Sequence, residues 1–239
     1  MSKTRLQPSE SFTLGIILAI AGGFWDTYTY ILRGGVFANA ETGNIVLMGI
    51  NLAERNFKQA FSYFIPIFAF ACGVFIIGII RRQFKKISAF HWRNIIITIE
   101  ILIIFTVGFM PESLNHIVNV MVAFVCAMQV ATFKKVRSCP CATTMCTGNL
   151  RSCTENLFGY INTKDKEYLK KAIVYFCVII FFILGAILGA ICSKSLGIKS
   201  IWITCVLLLS AYPIMKKNLL HKYAFLLKYN YIKIRRETK

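Results

Sequence analysis

Six apolar runs divide the chain: residues 12–32, 60–80, 95–110, 117–133, 172–192 and 201–215. Most approach the ~20 residues that a helix needs to cross the hydrocarbon core; 95–110 and 201–215 are short for it. Inside a bilayer the backbone has to satisfy its own N–H and C=O groups, so such runs fold as helices or as a closed barrel. Strand-type alternation is absent, which argues against a barrel. Composition agrees. Of 239 residues 56% are hydrophobic and the mean hydropathy is +0.61, which leaves too little polar surface for a soluble domain. The expected fold is all-α, a polytopic membrane protein with six transmembrane helices. One membrane domain fills residues 1–215, and residues 216–239 form a basic tail.

The charge pattern orients these spans. The net charge is +18, but the basic residues sit between apolar runs and at the C-terminus, which is the pattern of loops facing an anionic leaflet rather than nucleic acid. Six spans place 23 of the 28 Lys and Arg residues on one face and 5 on the other. The positive-inside rule then puts both termini in the cytoplasm, with anionic lipid headgroups as partners of the basic loops and tail. Ala19-Ile20-Ala21 loosely resembles a signal-peptidase site, but the run continues through Phe24, Trp25 and Tyr28, so an uncleaved first span is expected. The tail mixes Leu219, Tyr223, Leu226 and Tyr231 with lysines and arginines, a composition suited to a surface-lying amphipathic helix.

Thr42-Gly43-Asn44 recurs as Thr147-Gly148-Asn149. Each copy follows one apolar run, precedes a short helix-compatible stretch (45–53 and 150–161), and leads into the next run. The chain therefore reads as two three-span repeats, about 12–110 and 117–215. Three is odd, so the second repeat is inverted relative to the first. Inverted repeats with broken or re-entrant helices at equivalent places are how many transporters build a central site. Thr42 and Thr147 are expected to cap the helices that follow. Gly43 and Gly148 would allow close approach or unusual φ. Asn44 and Asn149 would add amide contacts. Asp26 lies inside the first span, where a carboxylate is costly and usually faces a cavity or a partner. Gln129 sits near the position equivalent to Asp26 when the halves are aligned on their motifs with a small gap, and is its candidate counterpart. Glu100 is expected near a helix end or in a structural contact.

Two groups of residues carry a family resemblance. The first is Gly22-Gly23-Phe24-Trp25-Asp26 followed by Phe37-Ala38-Asn39-Ala40-Glu41-Thr42-Gly43-Asn44. The second is Ala127-Met128-Gln129 followed by Thr143-Thr144-Met145-Cys146-Thr147-Gly148-Asn149. Together they resemble the YoaK family, bacterial six-span membrane proteins grouped as a domain of unknown function. The resemblance runs from about residue 12 to 215 and implies fold and a location in the bacterial inner membrane. It implies no catalytic residues. This chain departs from the family in having Glu41 where Met is usual, and Met145-Cys146 where aliphatic or Tyr-Val residues are usual. The extra carboxylate bears on selectivity.

Other clusters point to little chemistry. Cys139, Cys141, Cys146 and Cys153 lack a standard zinc spacing and have no nearby histidine, so free thiols are expected and no metal or other cofactor. The nine cysteines form no disulfide framework. His91, His116 and His221 fall in loops or the tail, away from any nucleophile, so the chain is not expected to be an enzyme. The functional expectation is a transporter of a small solute or ion. It would work by alternating access around a site lined by Asp26, Thr42, Gly43, Asn44, Gln129, Thr147, Gly148 and Asn149. The alternative is a non-transporting membrane scaffold whose motifs are surface turns.

Overall fold

A computed structural model of the chain describes residues 10–39, 41–83 and 89–215, with residues 89–91 as backbone only. The basic tail, Lys85, Lys86 and His221 lie outside the described residues. The apolar runs form helices α1 (Phe12–Leu32), α3 (Phe57–Gln83), α4 (Ala89–Val107), α5 (Asn115–Thr132), α7 (Lys166–Leu196) and α8 (Trp202–Leu209). The short stretches after the Thr-Gly-Asn motifs form α2 (Glu41–Ala53) and α6 (Cys146–Thr163). A two-residue hairpin, β1 (Lys135–Val136) with β2 (Cys139–Pro140), is the only sheet among the described residues.

Among the described residues four helical stretches are long and apolar enough to cross a membrane: Phe12–Leu32, Phe57–Gln83, Glu112–Thr132 and Lys166–Met215. Helix α4, with Arg93 and Asn94 in its N-terminal third and Glu100 at its centre, stands outside that set. The last stretch has 50 residues. Straight, it would measure ~75 Å, more than twice the hydrocarbon core. It folds back at Gly197, whose φ of 57° and ψ of −141° suit glycine alone. Phe61, Phe64, Phe68 and Phe75 cover one exposed side of α3. Such an apolar surface fits lipid and not water.

Helix α1 begins at Ser11, whose hydroxyl accepts from Leu14 N at 3.2 Å. It packs most extensively along α7. A methyl group at Gly23 would run into Phe182 O, one at Gly185 into Ile20 O, and one at Gly189 would come within 3.0 Å of Phe24 Cα. Main chain lies directly on main chain, as small residues permit in membrane bundles. The matched order of these contacts makes α1 and α7 parallel. Helix α5 lies parallel to α3 in the same way, with Gly73 against Phe124 and Ala127, and Ile77 packed with Met128 and Ala131. Helix α8 runs antiparallel to α1, through Trp25 Nε1 to Thr204 Oγ1 at 2.9 Å and Tyr28 OH to Ile198 O at 3.0 Å. It is also antiparallel to α4, where Phe105 stacks on Trp202 and Tyr212 OH bonds Thr98 Oγ1. Helix α2 packs on α3 and α6 on α7. Helix α4 also packs on α5, and exchanging α1 with α5, α2 with α6, α3 with α7 and α4 with α8 then maps this set of contacts onto itself.

Several expectations need correction. His116 lies in the first turn of α5 and His91 in α4, not in loops, because both helices extend beyond their apolar runs. Glu100 is not near a helix end. It sits in mid-α4, fully buried, with no hydrogen-bond partner for either oxygen among the described residues. Arg33, expected in an outer loop, is fully buried. Its Nε and Nη2 donate to Tyr28 OH at 3.0 and 2.6 Å, and its Nη1 to Asn115 Oδ1 at 3.1 Å and Pro111 O at 3.3 Å. Nη2 also reaches Val107 O at 3.4 Å. One guanidinium thus ties the end of α1 to the α4–α5 connection, and Asn119 Nδ2 donates back to Arg33 O. Arg33→Met is expected to destabilise the fold by about 2–3 kcal/mol, since it leaves buried acceptors without donors. Arg33→Lys should lose most of the same amount, lacking the planar fork. Thermal unfolding of the purified variants checks both.

Candidate functional site

The site begins where α1 ends. Gly34 and Gly35 take φ of 88° and 73°, the left-handed region open to glycine, and turn the chain back on itself. The returning segment runs down the side of α1: Ala38 N donates to Thr29 Oγ1 at 3.3 Å and Asn39 N to Asp26 Oδ1 at 3.0 Å. Helix α2 therefore starts beside Asp26, ~9 Å back from the end of α1 by helical rise. In the second half, the hairpin after α5 lies against the start of α1, with Val136 on Gly15 and Arg137 N donating to Glu10 O at 2.7 Å. The chain then passes inward. Thr143 Oγ1 accepts from Gln129 Nε2 at 3.2 Å, and Thr144 packs on Gly22, near the middle of α1.

The two returning segments meet. Asn39 Nδ2 donates to Thr144 O at 2.9 Å, both residues being buried. Asn39 and Thr144 are separated by the same interval as Asn44 and Asn149, so the equivalent positions of the two halves touch each other. The motif asparagines behave alike. Asn44 Nδ2 donates to Phe37 O at 2.9 Å and Asn149 Nδ2 to Ala142 O at 2.7 Å, each seven residues back. Each amide holds its returning segment against the start of its own short helix.

Of the eight residues expected at a centre, Asp26, Gln129, Asn44 and Asn149 are buried around this junction. Thr42, Thr147 and Gly148 are exposed, and Gly43 is half-buried. The threonines do not cap. Thr42 is the second residue of α2 and Thr147 the second of α6, whose N-cap Met145 makes no side-chain bond. The motif glycines have no positive φ, and Gly148 has open space around it. The helices start two residues earlier than threonine caps would imply, at Glu41 and Cys146, which turns these side chains outward and leaves the asparagines facing in. Asn39, Thr143 and Thr144 were missed. Asn39 and Thr144 stand in the segments that carry the family resemblance, and their spacing at the motif interval was a further signal, hidden because the residue types differ.

Near the second motif Cys139 and Cys141 are buried, and Cys146 and Cys153 are partly exposed. Cys141 Sγ donates to Asn149 Oδ1 at 3.3 Å. Among the described residues no three His, Cys, Asp or Glu side chains converge as a metal site would need. Burial pushes the Cys141 thiol up to about 12, so it is neutral at pH 8 and unreactive. Under native conditions a maleimide at pH 8 is expected to leave Cys139 and Cys141 unmodified for hours. Both should label within minutes in SDS, as peptide mass spectrometry would show.

The class is then that of a multi-pass α-helical membrane protein. The family profile described as "Protein of unknown function (DUF1275)" matches residues 14–213, and the chain belongs to that family. One relative is the UPF0700 transmembrane protein YoaK of Bacillus subtilis (strain 168). It is 25% identical over 208 residues, covering 82% of this chain and 90% of that protein. No solved structure matches the chain.

Proposed function

We propose that the chain carries a small solute or ion across the cell membrane by alternating access. In this reading six spans, α1, α3, α4, α5, α7 and α8, form two inverted three-helix repeats with both termini in the cytoplasm. The protein performs no covalent chemistry and needs no cofactor. Helices α2 and α6 are half-helices that enter from opposite faces. The observation that carries the reading is the Asn39–Thr144 bond beside Gly22, where the returning segments of the two halves meet at mid-helix depth. Surface turns on opposite faces, as a scaffold would have, have no reason to meet there. The exchange of packing partners between halves supports the same conclusion. It supplies two equivalent arrangements, which is what alternation between outward and inward access requires.

The test is flux in proteoliposomes with Asp26→Asn, Asn44→Ala and Asn149→Ala combined. Transport by the unaltered chain and at least a tenfold loss in the triple variant are expected, with the variant still monodisperse. Undiminished flux in the variant would remove the site assignment.

A further inference from the structure

The junction has an uneven supply of hydrogen-bonding groups. Asn39, Asn44 and Gln129 each have the amide nitrogen pinned to a main-chain carbonyl: Thr144 O at 2.9 Å, Phe37 O at 2.9 Å and Leu18 O at 3.1 Å. Those carbonyls can only accept, so the amides cannot be flipped without placing oxygen against oxygen. Their own oxygens are left over. Asn39 Oδ1, Asn44 Oδ1 and Gln129 Oε1 are buried with no partner among the described residues, and so are Glu41 Oε1 and Thr144 Oγ1. These groups lie along residues 39–44 and 143–144, the stretches that meet at the Asn39–Thr144 bond, and at Gln129 beside Thr143. Asn39 bonds Thr144, Gln129 bonds the neighbouring Thr143, and Asn44 bonds Glu41 Oε2 at 3.0 Å. No lysine or arginine of the described chain bonds to any of them. Arg33 is committed to Tyr28, Asn115 and the carbonyls at the α4–α5 connection.

Buried acceptors without donors are costly, and they call for hydrogen-bond donors or a cation. The starts of α2 and α6 favour the opposite sign, with roughly half a positive charge each. Asp26 already answers the first of these through Asn39 N. Glu41 then remains with the neutral oxygens. We infer that the junction between the two half-helices is a binding site for a monovalent cation, either an alkali ion or a primary ammonium group, held by the amide oxygens of Asn39, Asn44 and Gln129, the Thr144 hydroxyl and the Glu41 carboxylate. An all-oxygen set of this kind suits a hard cation or an ammonium donor. This rests on the transport reading and gives it a substrate or coupling class. Glu41 supplies the charge, so the preference for a cation depends on this one residue.

The experiment is thermal unfolding of the purified full-length protein in detergent. Lithium, sodium, potassium and methylammonium chlorides are titrated against N-methylglucamine chloride at fixed ionic strength, then repeated as sulfates. The expected result is a saturable rise in Tm that follows the cation and not the anion. Glu41→Gln, which keeps an oxygen for Asn44, should weaken the apparent affinity at least tenfold. Its Tm in N-methylglucamine should be unchanged. The preferred member of the series separates an alkali ion from an ammonium group. Stabilisation that follows the anion overturns the proposal, as does no saturable response to any of the four cations. Proteoliposome flux separates it from the transport reading. Cation binding without flux leaves the site standing and removes transport. Flux without any cation response leaves transport and removes the site.

Discussion

Gly23→Leu is expected to prevent accumulation of folded protein in the membrane, and Gly23→Ala to lower its Tm by about 6–12 °C. At Gly23 an added Cβ has nowhere to go. It meets Phe182 O and Ala186 N, which are main-chain atoms of α7 and cannot rotate away. Gly185 presents the reciprocal problem against Ile20. Relief would require α1 and α7 to separate along a contact that also positions Trp25 against Thr204 and Gly189 against Phe24. Overpacking a rigid interface costs about 3 kcal/mol at the upper end of its usual range. For a chain of this size that corresponds to about 6–12 °C. Gly148→Ala is the control. Nothing lies within 4 Å of its added methyl, and its effect should be within about 0.5 kcal/mol. Fluorescence-detected size exclusion after heating measures all three.

Glu100→Leu is expected to act in the opposite direction and raise Tm. Glu100 is fully buried in mid-α4, between Ile97 and Ile104 on the same buried face, and neither oxygen has a partner. A carboxyl at such a position costs about 2.5–3.5 kcal/mol on insertion scales. Replacing it with an apolar side chain of similar length should recover about 2–3 kcal/mol. Glu100→Gln should change little, because the burden of an unpartnered polar group remains. A fall in Tm for the leucine variant would mean that Glu100 has a stabilising partner, and the description of α4 would be wrong. A rise in Tm with loss of flux would mark Glu100 as a group kept for function at the expense of stability.

The apolar runs predicted the long helices well because length and hydropathy are local properties. The short helices after the motifs were also readable, since Thr-Gly-Asn recurs in identical form ahead of each. The pairing of those helices was not. That α1 lies against α7 depends on Gly23 meeting Phe182 and Gly185 meeting Ile20, contacts between residues far apart in sequence. Arg33 looked like one of five positive charges on an outer face, yet its guanidinium is enclosed by Tyr28, Asn115 and two carbonyl-bearing chain ends. Four of the eight expected site residues are buried at the junction because the asparagines, Asp26 and Gln129 had side chains to place there. Thr42 and Thr147 failed as caps over a shift of two positions in helix start, which sequence pattern does not resolve.

The central claim is that the Asn39–Thr144 junction is reached by solvent from either face in turn. A cysteine at Thr144 in an otherwise cysteine-free chain tests it most directly, since the substitution is small and the position is 2% exposed in this arrangement. The protein is placed in right-side-out and inside-out vesicles and exposed to a membrane-impermeant thiol reagent. The account predicts labelling from both faces, with the balance between them changing when a transported species is added. Labelling from one face only, unaffected by any solute or ion, would contradict it.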